Sequence, residues 1–108
     1  MEHLIVYVTT SSVDEAREIA SVVVEQRLAA CANILPGMES VYYWQGNIQN
    51  DQEVVLILKT IKAKATELIE AIIELHSYDE PCVITLPIAG GSKSYLDWIT
   101  RETNPKKK

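Results

Sequence analysis

The chain has 108 residues, enough for one domain with one hydrophobic core. Hydrophobic residues make up 47% and charged residues 23%, as in ordinary soluble globular proteins. The formal net charge of −5 argues against nucleic-acid or anionic-membrane partners, because both attract basic surfaces. The sequence has no apolar run long enough for a membrane span, no secretory signal and only two cysteines. We therefore expect a cytoplasmic protein with reduced thiols.

The first third of the chain predicts a strand, a helix and a second strand. Residues 4–8 are rich in β-branched side chains, which favour a strand. The motif Ser12-x-x-Glu15 is a capping box, and the helical pattern after it extends to Leu28. Strand character resumes over residues 31–35, and Pro36-Gly37 predicts a bend.

A hairpin with two long arms is predicted next. Five residues recur at every second position, which predicts a strand with all five on one face: Ser40, Tyr42, Trp44, Gly46 and Ile48. Gly46 within it predicts a bulge or a close backbone approach. Polar residues 49–52 predict the turn, and the apolar run 54–58 predicts a strand buried on both faces. Because a small domain cannot cover such arms, we expect them to pair with another copy of the chain.

The second half of the chain predicts a helix over 63–76, a loop over 77–81, a strand over 83–88 and a terminal helix from Ser92 or Ser94. The order β-α-β-β-α-β predicts an α+β, ferredoxin-like fold, in which an antiparallel sheet carries two helices on one face. We expect a single domain over residues 1–104, followed by a solvated lysine tail over 105–108.

The candidate metal ligands do not form a recognisable zinc motif. Cys31, at the start of a strand, is either a small buried hydrophobic residue or a thiolate ligand for a soft ion such as Cu(I). His76 ends the second helix on its apolar stripe, where it is either a packed, hydrogen-bonded residue or a ligand. Together with Asp79, Glu80 and Cys82 it forms a mixed N/O/S set within seven residues, which is suited to a transition metal.

The start of the chain offers a separate set of nitrogen donors. In Met1-Glu2-His3, a free amine, two backbone amides and an imidazole can form a square-planar site for Cu(II) or Ni(II). His3 adjoins the first predicted strand, and pairing within a sheet would compete for the same amide.

Ordered motifs along the chain resemble the CutA divalent-cation-tolerance family. They cover about residues 4–100 and are Leu28-Ala29-Ala30-Cys31-Ala32-Asn33-Ile34-Leu35-Pro36, Ser40-x-Tyr42-x-Trp44-x-Gly46-x-Ile48, Asp51-x-Glu53, Leu58-Lys59-Thr60, His76-x-Tyr78 with Pro81, Leu86-Pro87-Ile88 and Tyr95-Leu96-x-Trp98.

The resemblance implies a ferredoxin-like homotrimer built by edge-to-edge strand pairing, with a cytoplasmic role in tolerance to copper and other divalent ions. No enzymatic activity and no required cofactor come with it. Val8 and Leu75 stand where some family members carry a cysteine and a histidine, and Cys82 stands where the family usually carries a glutamate. The expected metal donors are therefore Cys31, His76 and Cys82.

Two other functions fit parts of the sequence. A PII-like signalling or adaptor trimer would hold a small anionic metabolite between protomers, using Lys59, Tyr78, Tyr95 and Trp98. An enzyme would need a cysteine beside a base, and no known motif places either histidine beside a thiol. We therefore expect a binding protein without catalytic activity, with metal ions and its own copies as partners.

Overall fold

The computed structural model describes residues 2–104, which form four strands and three helices. The strands are β1 (His3–Thr10), β2 (Cys31–Trp44), β3 (Asn47–Ile61) and β4 (Val83–Pro87), and the helices are α1 (Val13–Glu25), α2 (Ala65–Leu75) and α3 (Lys93–Glu102). A short 3-10 turn, Lys62–Lys64, precedes α2. The strands form one antiparallel sheet in the order β2-β3-β1-β4. The predicted α+β class and the antiparallel sheet are confirmed.

The core lies between one face of the sheet and the helices α1 and α2. Side chains alternate along a strand, so Val6 and Val8 of β1 share this face with Leu56 and Leu58 of β3. The helices cover them with fully buried side chains, among them Ile19 and Val23 of α1 and Leu68 and Ile72 of α2. Each helix thus buries one stripe, as its sequence periodicity predicts.

Helix α1 begins as predicted but ends earlier than its apolar pattern. The Ser12 hydroxyl accepts a hydrogen bond from the Glu15 N–H at 3.1 Å, which caps the first turn. At the other end, the N–H groups of Arg27 and Leu28 bond to the carbonyls of Val24 and Val23 at 3.0 and 2.9 Å. Arg27 adopts a positive φ of 64°. Together with this conformation, the two hydrogen bonds form a Schellman motif in which arginine takes the place of the usual glycine. Leu28 is buried because this turn folds it back onto the core, not because the helix continues.

Strand β2 is continuous through the predicted bend at Pro36-Gly37. The register with β3 shifts between Leu35, opposite Val55, and Met38, opposite Glu53. Gly37 has a φ of +90°, a conformation that glycine adopts without strain. The two residues therefore form a bulge inside one long strand rather than a break between two.

The hairpin turn lies at Gln45 and Gly46, so the turn predicted at residues 49–52 is wrong. Both turn residues have positive φ, 53° and 83°, as a two-residue type I′ turn requires. A side chain at Gly46 would meet no atom within 4 Å, so the glycine is needed for its conformation and not for a close approach. Ile48 then pairs with Tyr43 and lies on the face opposite Tyr42 and Trp44, contrary to the predicted common face.

The other face of the sheet, here called the open face, is only partly covered. Its apolar residues include Ile5, Tyr7, Leu35, Val55, Ile57, Ile84 and Leu86. Helix α3 covers the end of this face near His3, where Ile99 packs with Ala30 and Ile61. A hydrogen bond of 2.8 Å between His3 Nε2 and Thr100 Oγ1 holds the helix there. Within residues 2–104 no helix is both long and apolar enough to cross a membrane.

Candidate functional site

His76 lies buried at the end of α2, and both of its ring nitrogens are hydrogen-bonded. Nε2 lies 2.7 Å from the carbonyl oxygen of Thr9, and Nδ1 lies 3.1 Å from the backbone N–H of Tyr78. A carbonyl only accepts and an amide N–H only donates, so the proton belongs on Nε2 and the ring is neutral. A metal ion could bind His76 only by displacing one of these two partners.

Glu15 connects the start of α1 to the loop that follows His76. Its Oε1 accepts from the N–H and the hydroxyl of Ser11 at 2.9 and 2.8 Å, and its Oε2 accepts from the Ser77 N–H at 2.8 Å. Burial opposes ionisation of this carboxyl, but the hydrogen bonds from Ser11 and Ser77 outweigh it and lower its pKa to about 2. Oε2 also lies 3.7 Å from Nδ1 of the neutral His76.

The Tyr78 side chain lies between His76 and the hairpin. Its ring contacts the imidazole at a centroid distance of 4.7 Å, and its hydroxyl donates to Glu53 Oε2 at 2.8 Å. Burial and the hydrogen bond to Glu53 raise the pKa of Tyr78 well above that of a free phenol. On the neighbouring strand the Tyr42 hydroxyl makes the equivalent bond to Asp51 Oδ2 at 2.5 Å, which also raises its pKa.

These pairs belong to a cleft of about 510 Å³, here called the acidic cleft, between one face of the hairpin and the loop before β4. Its lining residues are Thr9, Tyr42, Trp44, Asp51, Glu53, Tyr78, Asp79, Glu80 and Cys82. Four carboxylates and three aromatic rings line it, and none of the lining residues is basic. The cleft therefore presents a negative potential to small molecules in solution.

The structure does not bring the three predicted metal donors together within one chain. Cys82 lines the acidic cleft, and His76 lies behind Tyr78. Cys31 pairs with Lys59, and Lys59 lies opposite Ile5 on β1, four residues from Thr9. At about 3.3 Å per residue and 4.8 Å per strand, Cys31 and Cys82 lie on the order of 20 Å apart. Within residues 2–104 no three His, Cys, Asp or Glu side chains meet in a group able to hold a metal ion.

The residues predicted for an anion site separate into two places. Lys59 Nζ lies 3.4 Å from the Tyr95 hydroxyl, and Tyr95 stacks on Trp98 at a centroid distance of 5.4 Å. Lys59 and Tyr95 line a smaller cavity of about 230 Å³ beside Gly90 and Gly91. Tyr78 lies instead in the acidic cleft, so the four residues do not form one site.

The N-terminal copper site lies partly outside the described residues, because Met1 is not among them. His3 is part of β1, opposite Ile61, and its Nε2 is bonded to Thr100. The sheet pairing that competes for its amide is thus present, and the square-planar site stays a prediction.

Sequence reasoning named Asp51 and Glu53 only as part of a family motif and did not identify them as residues of the cleft. Asp51 was assigned to a turn, and Glu53 adjoins an apolar run that reads as a plain buried strand. Glu53 is only 7% exposed. A carboxylate directly before a buried strand, within the motif Asp51-x-Glu53, is the signal that could have indicated it.

Comparison with known proteins agrees with this fold. The family profile described as "CutA1 divalent ion tolerance protein" matches residues 4–102. A Thermus thermophilus protein named divalent-cation tolerance protein CutA is 46% identical over 99 residues, which cover 92% of this chain and 96% of the relative. An Arabidopsis thaliana protein named "Protein CutA, chloroplastic" is 45% identical, and the match covers 93% of this chain but 55% of that longer relative.

A solved structure gives the same result. The crystal structure of CutA1 from Oryza sativa superposes with a TM-score of 0.93 at 41% identity, covering 96% of this chain and 95% of that one. The molecule is an α+β protein with a four-stranded antiparallel sheet and an acidic cleft along one face of a long hairpin. It belongs to the CutA1 divalent ion tolerance protein family, as the sequence motifs predicted.

Proposed function

We propose that this protein acts in the cytoplasm in tolerance to divalent cations, copper among them, and binds the ions without catalysis or a required cofactor. Family membership supports the role in cation tolerance. The observation that supports ion binding is the acidic cleft, whose lining includes Cys82 and four carboxylates. Such a lining raises the local concentration of cations and combines soft and hard donors.

We further propose a ferredoxin-like homotrimer closed by strand pairing between protomers. The strand order β2-β3-β1-β4 supports the ferredoxin-like arrangement and leaves β2 and β4 as the two edges. The tip of the hairpin carries exposed apolar residues, with Val41 67% and Tyr43 73% exposed. An exposed edge of this length and composition requires a partner strand, and a second copy supplies one.

Cys31, His76 and Cys82 are the proposed donors, and their separation implies that they do not bind one ion within a chain. Cys31 lies at the start of β2 and directs its thiol toward Asn33 Oδ1 at 3.8 Å. His76 would have to release Thr9 or Tyr78 to bind an ion. Cys82 needs no such rearrangement, since it already lines a cleft.

Calorimetric titration with Cu(I) under anaerobic conditions tests the proposal. We expect Cys82→Ser to weaken binding by about tenfold, equivalent to about 1.4 kcal/mol. Cys31→Ser removes the other proposed thiol donor, which lies outside the cleft, and so measures whether Cys31 contributes to binding separately from Cys82. A double variant that keeps full affinity would exclude both cysteines as ligands. His76→Gln distinguishes a metal ligand from a structural residue. If the variant loses stability but keeps its affinity for Cu(I), the role of His76 is structural.

The second candidate, a signalling trimer that binds an anionic metabolite, has weaker support. Lys59 and Tyr95 do meet beside the glycines at positions 90 and 91, and Trp98 stacks on Tyr95. Tyr78, however, lies among carboxylates that repel an anion. A thermal-shift comparison of Cu(II) with nucleotides and other anionic metabolites distinguishes the two, because only the ligand that binds raises the melting temperature.

A further inference from the structure

Three consecutive residues after α2 each form a hydrogen bond to a different element of the fold. These residues, here called the junction, are His76, Ser77 and Tyr78. Their partners are the Thr9 carbonyl of β1, Glu15 Oε2 of α1 and Glu53 Oε2 of β3, at 2.7, 2.8 and 2.8 Å. A single short segment thus connects β1, α1 and β3.

The junction reaches both sides of the sheet. Glu15 belongs to α1, which packs on the core face. Glu53 lies next to Val54, a core-face residue, so its own side chain points to the open face. The two carboxylates therefore lie on opposite sides of the sheet, and the junction, bonded to Thr9 near the end of β1, contacts both.

The junction is also braced internally. The Tyr78 N–H donates to His76 Nδ1 at 3.1 Å, and the two rings are in contact at a centroid distance of 4.7 Å. The His76 N–H bonds to the Ile72 carbonyl at 3.0 Å, which joins the junction to the last turn of α2. Because successive Cα atoms are only about 3.8 Å apart, a displacement of Tyr78 must distort the bonds of Ser77 and His76.

Burial makes the bonds to the two carboxylates depend on one another. Glu53 is 7% exposed, and within residues 2–104 its side chain has one hydrogen bond, which comes from Tyr78. A buried carboxylate that loses its donor is driven toward water, because an unsatisfied buried charge is unfavourable. Loss of this bond should therefore displace Glu53 and Tyr78 together, and Ser77 is joined to Tyr78 by one peptide bond.

We propose that the junction couples the hairpin to helix α1, so that displacing Glu53 or Tyr78 weakens the bond between Ser77 and Glu15. The coupling acts equally in the other direction, since a coupling free energy is reciprocal. All of these bonds lie within one chain, so the coupling depends neither on the proposed trimer nor on ion binding. A contact made beside Glu53 on the hairpin would be transmitted to the first turn of α1.

Hydrogen exchange of single amides in the full-length chain, measured by NMR at constant pH, tests the coupling. Tyr78→Phe keeps the ring and removes the hydroxyl. We expect it to speed exchange of the Ser77 amide by about tenfold, although the bond from Ser77 to Glu15 is itself untouched. Tyr42→Phe is the matched control, because it removes the equivalent hydroxyl bond to Asp51 and should leave the Ser77 amide unchanged. In the reverse direction, Glu15→Gln should speed exchange of the Tyr78 amide by a similar factor.

The amide of Val23, a fully buried residue of α1, reports global unfolding in the same samples. An equal change at Ser77 and Val23 would overturn the proposal, because it would show only a loss of global stability. A Ser77 amide that does not respond to loss of the Tyr78 hydroxyl, or that responds equally in the control variant, would overturn it as well. If the phenylalanine variant at position 78 does not fold, Glu15→Gln decides, with Glu18→Gln, exposed on the same helix, as its control.

Discussion

Glu15 and Ser77 are 62 positions apart, and a hydrogen bond of 2.8 Å from the Ser77 N–H to Glu15 Oε2 joins them. This bond ties the first turn of α1 to the loop that enters the acidic cleft. The folded-state pKa of Glu15, about 2, lies below the ordinary value of 4.5. Its carboxylate therefore stabilises the fold fully above about pH 4.5, and this contribution is lost as the pH falls toward about 2.

We expect Glu15→Gln to lower the free energy of unfolding at pH 7 by about 2 kcal/mol, since the amide carries no charge to strengthen these bonds. At pH 2 the variant and the native chain should be close in stability. Urea denaturation at the two pH values measures this. Glu18→Gln, exposed on the same helix, is the control. An equal loss at both pH values would show that charge is not the cause.

At the hairpin turn we predict that substitutions at two adjacent positions change the free energy of unfolding in opposite directions. Gln45 and Gly46 both have positive φ, and type I′ turns favour asparagine followed by glycine. We expect Gln45→Asn to raise the free energy of unfolding by about 0.5 kcal/mol and Gly46→Ala to lower it by about 1 kcal/mol. Chemical denaturation measures both changes.

Gly90→Ala is the control for the turn, because Gly90 has open space around it and no positive φ. It should be neutral or slightly stabilising. Should the two alanine variants lose the same stability, the left-handed conformation of Gly46 would not be the cause.

Thr60 connects the turn that follows α1 to the sheet. Its hydroxyl is fully buried and donates to the Leu28 carbonyl at 2.7 Å. Thr60→Val keeps the shape and removes the donor, so we expect a loss of about 1–2 kcal/mol in the free energy of unfolding. The exposed Thr85→Val on β4 should change it by less than about 0.5 kcal/mol. Thermal unfolding of both variants measures the difference. Similar melting temperatures would contradict the stabilising role of the hydrogen bond from Thr60 to Leu28.

The proposed trimer can be tested on the open face. Ile84 is 53% exposed there, and Ile73 is 50% exposed on α2. If β4 and the open face meet another protomer, Ile84→Lys should dissociate the assembly, because it buries an unpaired charge at the interface. Ile73→Lys, an identical change at nearly equal exposure, should leave it intact. Light scattering reads the mass, and a native chain that is already monomeric at micromolar concentration would refute the trimer.

Local signals in the sequence were sufficient to predict most helices and strands, but not the contacts between residues that are far apart in the chain. The capping box at Ser12 and Glu15 lies within four residues, so it can be read directly from the chain. The partner of Glu15 at Ser77 cannot, because only the tertiary fold brings them together. Glu53 and Tyr78, 25 positions apart, meet for the same reason.

The position of the hairpin turn was missed because two signals competed. Four polar residues at 49–52 read as a turn, whereas Gln45-Gly46 lacks the usual asparagine. The structure favours the shorter turn because it extends the pairing of β2 with β3 and keeps Val54, Leu56 and Leu58 on the core face. Donor chemistry and the family motifs indicated Cys31, His76 and Cys82, but the type of donor carries no information about the distance between strands.

The two-residue turn also has a kinetic consequence. Pairing of β2 with β3 can start at Trp44 and Asn47 and spread to Cys31 and Lys59, with each step closing only a short loop. Hairpins form in about 1–10 μs, whereas β1 must close a loop of more than forty residues before it meets β3. We expect the hairpin to nucleate folding, so Gly46→Ala should slow refolding and leave the unfolding rate nearly unchanged in stopped-flow measurements. The rate of hairpin formation should not depend on protein concentration, whereas the rate of protomer association should. Refolding measured over a dilution series would therefore separate the two steps.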